Sequence, residues 1–222
     1  RYIERAENTA RMVEVNLQLL LDAERLAETH LESFWRPILE STGDIRIFER
    51  LYTGINSQDV MAFLTLNRDN PSSAINCIFA ARENARMIRD QISEEMWEIL
   101  NRLYHYLRRA GTPRIGQSTL YDLFARIKEE SHAFVGVTES TFPHQMGYDF
   151  IRAGRFLERA DKTGRILLSK LPALEGGADD PAKMVQWAAV LRACSALNTY
   201  RHSYKVEIVP VEVLRLLLGS RT

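Results

Sequence analysis

The sequence predicts an all-α protein, folded as a single helical-bundle domain in which one helix is written twice. Three observations carry that reading. Apolar residues recur three and four positions apart along most of the chain, the spacing of helices with one buried stripe. Strictly alternating runs, which a half-buried strand needs, are nearly missing. The 222 residues, 45% of them hydrophobic, suffice for one sizeable core, and no low-complexity tract separates two domains.

The first helix is expected from Arg1 to about Leu26, with Tyr2, Ile3, Ala6, Ala10, Val13 and Leu17 on one stripe. A short interrupted segment follows, with Trp35 ahead of Pro37. Ser57-Gln58-Asp59 offers N-cap residues before the apolar run from Val60 to Leu66. Asn70-Pro71-Ser72-Ser73 reads as a sharper start, because Asn caps and Pro at the first helical position gives up no useful donor. That helix is expected to reach about Gln91, and Ser93-Glu94-Glu95 opens the next with acidic residues favourable to the helix dipole.

Gly111-Thr112-Pro113 breaks the chain near its centre. Helices are then expected from about Ser118 to Val137, from Gln145 to Leu171, and from Pro181 to about Tyr204. A mobile surface loop over residues 172–181, containing Gly176-Gly177, precedes the last of these, and Val209-Pro210 opens a final helical piece.

Lys plus Arg number 29 against 29 Asp plus Glu, so the chain has no general attraction to nucleic acid or to an anionic membrane, and any anion site must be local. No run of about 18 apolar residues codes for a membrane span and no signal peptide opens the sequence, so a cytoplasmic location is expected. The text is already helical at Arg1 and stops just after the apolar stretch Leu214 to Leu218, so the natural protein is expected to extend at both ends. Cys77 and Cys194 stand among apolar neighbours without metal or redox spacing and read as buried reduced thiols.

The repeat concerns RYIERAENTARMV at the start and GRFLERADKTGRIL, 154 residues later. Aligned, Arg1 pairs with Arg155, Glu4 with Glu158, Arg5 with Arg159, Glu7 with Asp161, Thr9 with Thr163 and Arg11 with Arg165. A weaker relative, Arg82-Glu83-Asn84-Ala85-Arg86, lies between them. At 100° per residue Glu4, Glu7, Asn8 and Arg11 form a stripe roughly opposite the apolar one, and Glu158, Asp161, Lys162 and Arg165 repeat it.

Single charges of this kind usually sit on solvated faces and contribute about 0.2–0.5 kcal/mol per pair. Solvation alone, however, does not require the same residue at the same place in two helices. One shared task is structural: crossing helices in which Glu4 meets Arg159 and Arg5 meets Glu158 fix a register. Another is binding, with Arg5, Arg11, Arg82, Arg86, Arg159 and Arg165 gripping a carboxylate or phosphate while Glu4 and Glu158 orient them. The four carboxylates Glu4, Glu7, Glu158 and Asp161 superficially resemble those of di-metal bundles, but the Glu-x-x-His such bundles need is missing, so neither a metal nor another cofactor is expected.

Catalytic grammar is missing as well. His30, His105, His132, His144 and His202 follow no nucleophile–base pattern, and no GxSxG, P-loop or GxGxxG occurs. Trp35, Trp97 and Trp187 read as core residues, as do Phe142, Tyr148, Phe150, Ile151 and Phe156 at the approach to the second motif.

At Arg1 to Arg11, Asn70 to Ser73, Ala81 to Arg86, Met96-Trp97 and Gly154 to Thr163 the chain resembles the alpha-E family, a bacterial all-helical domain named for its Glu-Arg motif. The resemblance covers nearly the whole chain and weakens after Thr163. It implies a domain encoded beside, or fused to, a circularly permuted ATP-grasp protein, often in the company of a transglutaminase-like protein and a proteasome-like peptidase. That company implies ATP-dependent amide formation on a peptide, and the family brings no catalytic residues with it. The expectation is a helical component that holds a partner or an anionic peptide at a centre drawn from Glu4, Arg5, Asn8, Arg11, Arg82, Glu83, Asn84, Arg86, Arg155, Glu158, Arg159, Asp161 and Arg165. The alternative is an enzyme of the same system with its active site between the two Glu-Arg helices and a glutamate as general base.

Overall fold

The computed structural model describes residues 1–23, 31–110, 117–170, 181–204 and 207–219. Among them run eleven helices and no strand: α1 (Tyr2–Ala23), α2 (Leu31–Thr42), α3 (Ile45–Leu51), α4 (Ser57–Thr65), α5 (Ala74–Met87), α6 (Glu94–Ala110), α7 (Gln117–Thr141), α8 (Met146–Lys170), α9 (Pro181–Ala193), α10 (Leu197–Ser203) and α11 (Pro210–Gly219). The expected loop over 172–181 and the central break at Gly111-Thr112-Pro113 lie outside the described residues, except that Pro181 begins α9.

α1 is the axis of the bundle, in contact with α2, α4, α5, α7, α8 and α9. Its apolar stripe, Ala6, Ala10, Val13, Leu17 and Leu20, enters the largest core together with Trp35, Phe48, Phe63, Ile78 and Phe124. The remaining faces are covered as well. Met12 joins a second cluster around Ile166, Trp187 and Tyr200, and Val15 and Leu19 meet Ala189. A helix surrounded in this way has no solvated face in its first half, and Glu4, Glu7 and Asn8 are accordingly buried. At these three positions the charged stripe is enclosed rather than solvated.

α8 is amphipathic in the opposite sense over its first half. Glu158 and Lys162 point inward and are buried, whereas Phe150, Phe156 and Leu157 are exposed. Phe150 and Phe156 are therefore not core residues, although Tyr148 is buried and Phe142 and Ile151 pack on a small cluster around Met96. Only at Ile166 and Leu167 does the inner face of α8 turn apolar.

Several boundaries move for local reasons. Pro37 sits inside α2 rather than interrupting it. The cap of α4 is Asn56, whose side chain accepts from the Asp59 N–H at 2.9 Å. Asn70 is spent earlier than a cap: its side chain accepts from Ser72 N–H and donates to the Phe63 carbonyl, so Ser73 caps α5 instead. The segment from Pro181 to Tyr204 is two helices, broken where Ser195 adopts a left-handed φ of 57°. The start at Ser93 is as expected, with its hydroxyl accepting from Met96 N–H at 3.2 Å.

Candidate functional site at the paired Glu-Arg helices

α1 and α8 lie side by side and run in the same direction, because their contacts climb together. Arg1 meets Gly154 and Glu158, Glu4 meets Arg159, and Met12 shares a cluster with Ile166. A Cβ on Gly154 would come within 3.3 Å of the Arg1 side chain, so a small residue there lets the two helices approach. Between parallel neighbours, equivalent levels face each other. A Glu-Arg pair repeated at one level therefore forms two reciprocal ion pairs.

One of these is closed. Arg5 donates Nε to Glu158 Oε1 at 2.6 Å and Nη2 to Oε2 at 2.9 Å, a bidentate fork, and Arg1 Nε adds a bond to Oε2 at 3.3 Å. Burial by itself would raise the Glu158 carboxyl, but the bonds from Arg5 and Arg1 and the nearby Lys162 outweigh it and hold the group below its ordinary value. The same bond raises Arg5.

Lys162 and Asp44 are buried beside this pair. Burial pushes the Lys162 ammonium down, Arg5 adds to the effect, and Glu158 and Asp44 oppose it. Burial pushes Asp44 up against the pull of Lys162, and its Oδ2 has no hydrogen-bond partner. Cys77 is buried next to the cluster, its thiol pushed up to about 12 mainly by desolvation, so it is no thiolate at neutral pH.

The other pair is open. Arg159 Nε donates to Glu4 Oε1 at 2.7 Å. Arg155 stands off: its Nε is 3.9 Å from Glu4 Oε2 and its Nη1 3.9 Å from Glu139 Oε1, both ion-pair distances beyond hydrogen-bonding reach. The guanidinium lies 5.1 Å from the centre of the Phe156 ring, and its buried Nε has no hydrogen-bond partner. Glu4, Arg155, Arg1, Arg152 and Glu139 line a cavity of about 50 Å³ between α1, α7 and α8.

The remaining candidates divide. Glu7 is buried and accepts from Arg11, with His132 of α7 at 3.6 Å. Asn8 is buried with its Nδ2 unpartnered. Asp161 and Arg165, by contrast, form an exposed pair at 3.0 Å on α8, with the Arg165 guanidinium beside Gly43. Arg82, Glu83 and Arg86 are not brought to the centre either. Arg82 donates to Asn101 of α6 at 2.7 Å and to Glu83, and stacks over Trp97 and Tyr104, while Arg86 also binds Glu83. Asn84, on the same helix, lines a groove beside Arg1 and Tyr2.

Sequence reasoning missed three participants. Asp44 follows Gly43 and precedes α3, so it reads as an ordinary turn residue; nothing local announces that α8 covers it. Glu139 and Arg152, which bound the cavity, belong to no repeat. A second buried carboxylate, Glu130, was also not singled out; Arg102 grips it at 2.8 and 2.7 Å and Arg126 at 2.6 Å. Among the described residues no three His, Cys, Asp or Glu side chains gather as metal ligands would, and no helix is long and apolar enough to cross a membrane.

The polar centre of this all-helical domain is thus built from two copies of Glu-Arg, one on each of two parallel helices. The chain belongs to the Alpha-E family, described as a predicted alpha-helical domain with a conserved ER motif, which matches residues 1–222. It is similar to an uncharacterized protein of Mycobacterium bovis, at 24% identity over 98% of this chain and 26% of that protein. Two uncharacterized proteins of Mycobacterium tuberculosis match over the same shares at 24% and 23% identity. The chain thus spans about a quarter of the length of these relatives. No solved structure gives a significant match.

Proposed function

We propose that this domain is a non-catalytic, substrate-holding part of a peptide-synthesis or peptide-modification system built around a circularly permuted ATP-grasp protein. In this reading it holds an anionic peptide by a carboxylate at the open half of the Glu-Arg centre. Arg155 is the observation that supports the holding role. A guanidinium carries five N–H donors in a planar fork matched to a carboxylate. This one makes no hydrogen bond among the described residues and faces a cavity whose walls carry three arginines against two glutamates. Glu4 and Glu139, each 3.9 Å away, orient it without consuming its donors.

The enzymatic alternative lacks comparable support. A general base acting near neutral pH needs a raised carboxyl, whereas Glu158 is held low by Arg5 and Arg1, and Glu4 is engaged by Arg159.

Calorimetric titration with a short peptide, as free acid and as C-terminal amide, tests the holding role. Arg155→Met is expected to weaken binding of the free acid at least about tenfold, the loss of a charge-assisted bond. The thermal midpoint should move by no more than about 2 °C, because the guanidinium makes no hydrogen bond to lose. Equal binding by Arg155→Met and the parent would remove the basis of the proposal. The assembly itself is tested by co-purification with the ATP-grasp neighbour, with and without ATP and peptide; no association under any of these conditions would reject it.

A further inference from the structure

We infer that the ligand of Arg155 is the C-terminus of a peptide whose last residue is large and apolar, with its carboxylate on the guanidinium and its side chain in an adjoining groove. The inference rests on the carboxylate-holding reading above and adds to it the chemistry of the neighbouring residue. Next to the 50 Å³ cavity lies a groove of about 370 Å³, walled by Ile88, Ile92, Met96, Leu100, Phe134 and Phe150. The two are neighbours, with Arg1, Ile3, Phe134 and Ile151 contributing to the walls of both.

Their sizes and charges differ in a useful way. The cavity has about the room of one or two waters, enough for a carboxylate and little else. The groove falls in the range of roughly 300–1,000 Å³ in which organic ligands bury most of their surface. One end of the combined site is cationic and the other apolar. That pairing of a cationic cavity with a neighbouring apolar groove suits a terminal carboxylate followed by a bulky side chain.

A peptide suits the groove better than a plain acyl chain. Asn84 is exposed on the groove wall and makes no hydrogen bond among the described residues, so its amide offers both a donor and an acceptor to a peptide unit. An acyl chain would leave those groups unused. Burying a Phe or Leu side chain rather than a methyl favours binding by roughly tenfold or more.

Calorimetric titration of the intact chain with four probes tests this: acetyl-Ala-Ala-Phe as free acid, the same peptide as amide, acetyl-Ala-Ala-Ala as free acid, and decanoate. The Phe-ended acid is expected to bind at least tenfold more tightly than the Ala-ended acid. Ile88→Asp, a change at an exposed side chain checked by thermal melting, should cut that advantage below threefold. If the two acids bind within twofold of each other while the amide binds weakly, the groove inference is overturned and the carboxylate reading stands. Equal binding of acid and amide overturns both. Decanoate binding as tightly as the Phe-ended peptide overturns the inference in favour of an acyl ligand, and no binding of any peptide at millimolar concentration overturns both readings.

Discussion

Glu158 and Glu4 hold equivalent positions in the two copies of the repeat, and each is paired with the arginine of the other copy, yet their surroundings differ. Glu158 is 0% exposed, and Arg5, which grips it with two bonds, has 22% of its side chain exposed. Glu4 is 7% exposed but receives one bond from Arg159, whose side chain is 47% exposed. Removing a charge from water costs several kcal/mol, and only good geometry with every lone pair satisfied offsets it. The closed half meets that demand with Arg5 and Arg1. In the open half solvent meets part of the demand, and a second arginine is left with spare donors. One sequence device thus closes a buried ion pair on one side and leaves an incompletely bonded arginine on the other.

The comparison is broken most forcefully at Glu158. Glu158→Gln keeps the shape but leaves Arg5 and Lys162 without their buried counter-charge, and stability is expected to fall by about 3–5 kcal/mol. For a chain of this length each kcal/mol moves the thermal midpoint by roughly 2–4 °C, so a loss near 10 °C is expected in a melting experiment. The effect depends on pH. Because the folded-state value of Glu158 lies below its ordinary 4.5, its stabilisation is complete above about that pH and is lost as pH falls through the folded value. Asp44, held above its ordinary 3.8, works in the opposite sense: it favours the fold when protonated and loses that contribution as pH rises through its folded value. The difference between parent and Glu158→Gln in urea melts at pH 7 and pH 3 separates the two. A gap that stays constant across that range would mean that the Glu158 charge contributes nothing.

The helical class was legible in the spacing of apolar residues, while the repeated dipeptide offered the reciprocal pairing of Glu4 with Arg159 and Arg5 with Glu158 only as one task beside ligand binding. Which way each helix turns was not legible. Periodicity shows that α8 has two faces, but the inward choice is made by its neighbours. Arg5 and Asp44 draw Glu158 and Lys162 inward, and Phe156 and Leu157 are left outside. In α1, a helix with neighbours on nearly every side, the polar stripe is buried too, and periodicity alone does not distinguish that from a solvated face. Asp44 and Glu139 are joined to the centre by folding alone, at sequence distances over which no local pattern extends.

A smaller change sharpens the comparison from the open side. Glu4→Gln removes the charge facing Arg159 and Arg155, but its hydrogen-bonded partner Arg159 keeps 47% of its side chain in water and Arg155 keeps Glu139 at 3.9 Å, which limits the cost to about 1 kcal/mol or less. A midpoint within about 4 °C of the parent is expected. A loss as large as that of Glu158→Gln would mean that the open half is as closed as the other, and the reading of Arg155 as an available cation would have to be given up.

The smallest effect is expected one turn further along α8. Asp161 matches Glu7 of α1 in the repeat, and Arg165 matches Arg11, so the sequence treats the two pairs alike. Glu7 is enclosed by α1 and α7, with Arg11 and His132 upon it, whereas Asp161 and Arg165 are 42% and 45% exposed. Ordering two long side chains on a solvated face nearly cancels their attraction, so Asp161→Asn should change stability by no more than about 0.5 kcal/mol. Raising the salt concentration should shrink even that difference, because screening acts fully on exposed charges and weakly on enclosed ones. A salt-insensitive loss well above this value, measured by urea denaturation, would place Asp161 in a closed contact and extend the buried centre by a turn.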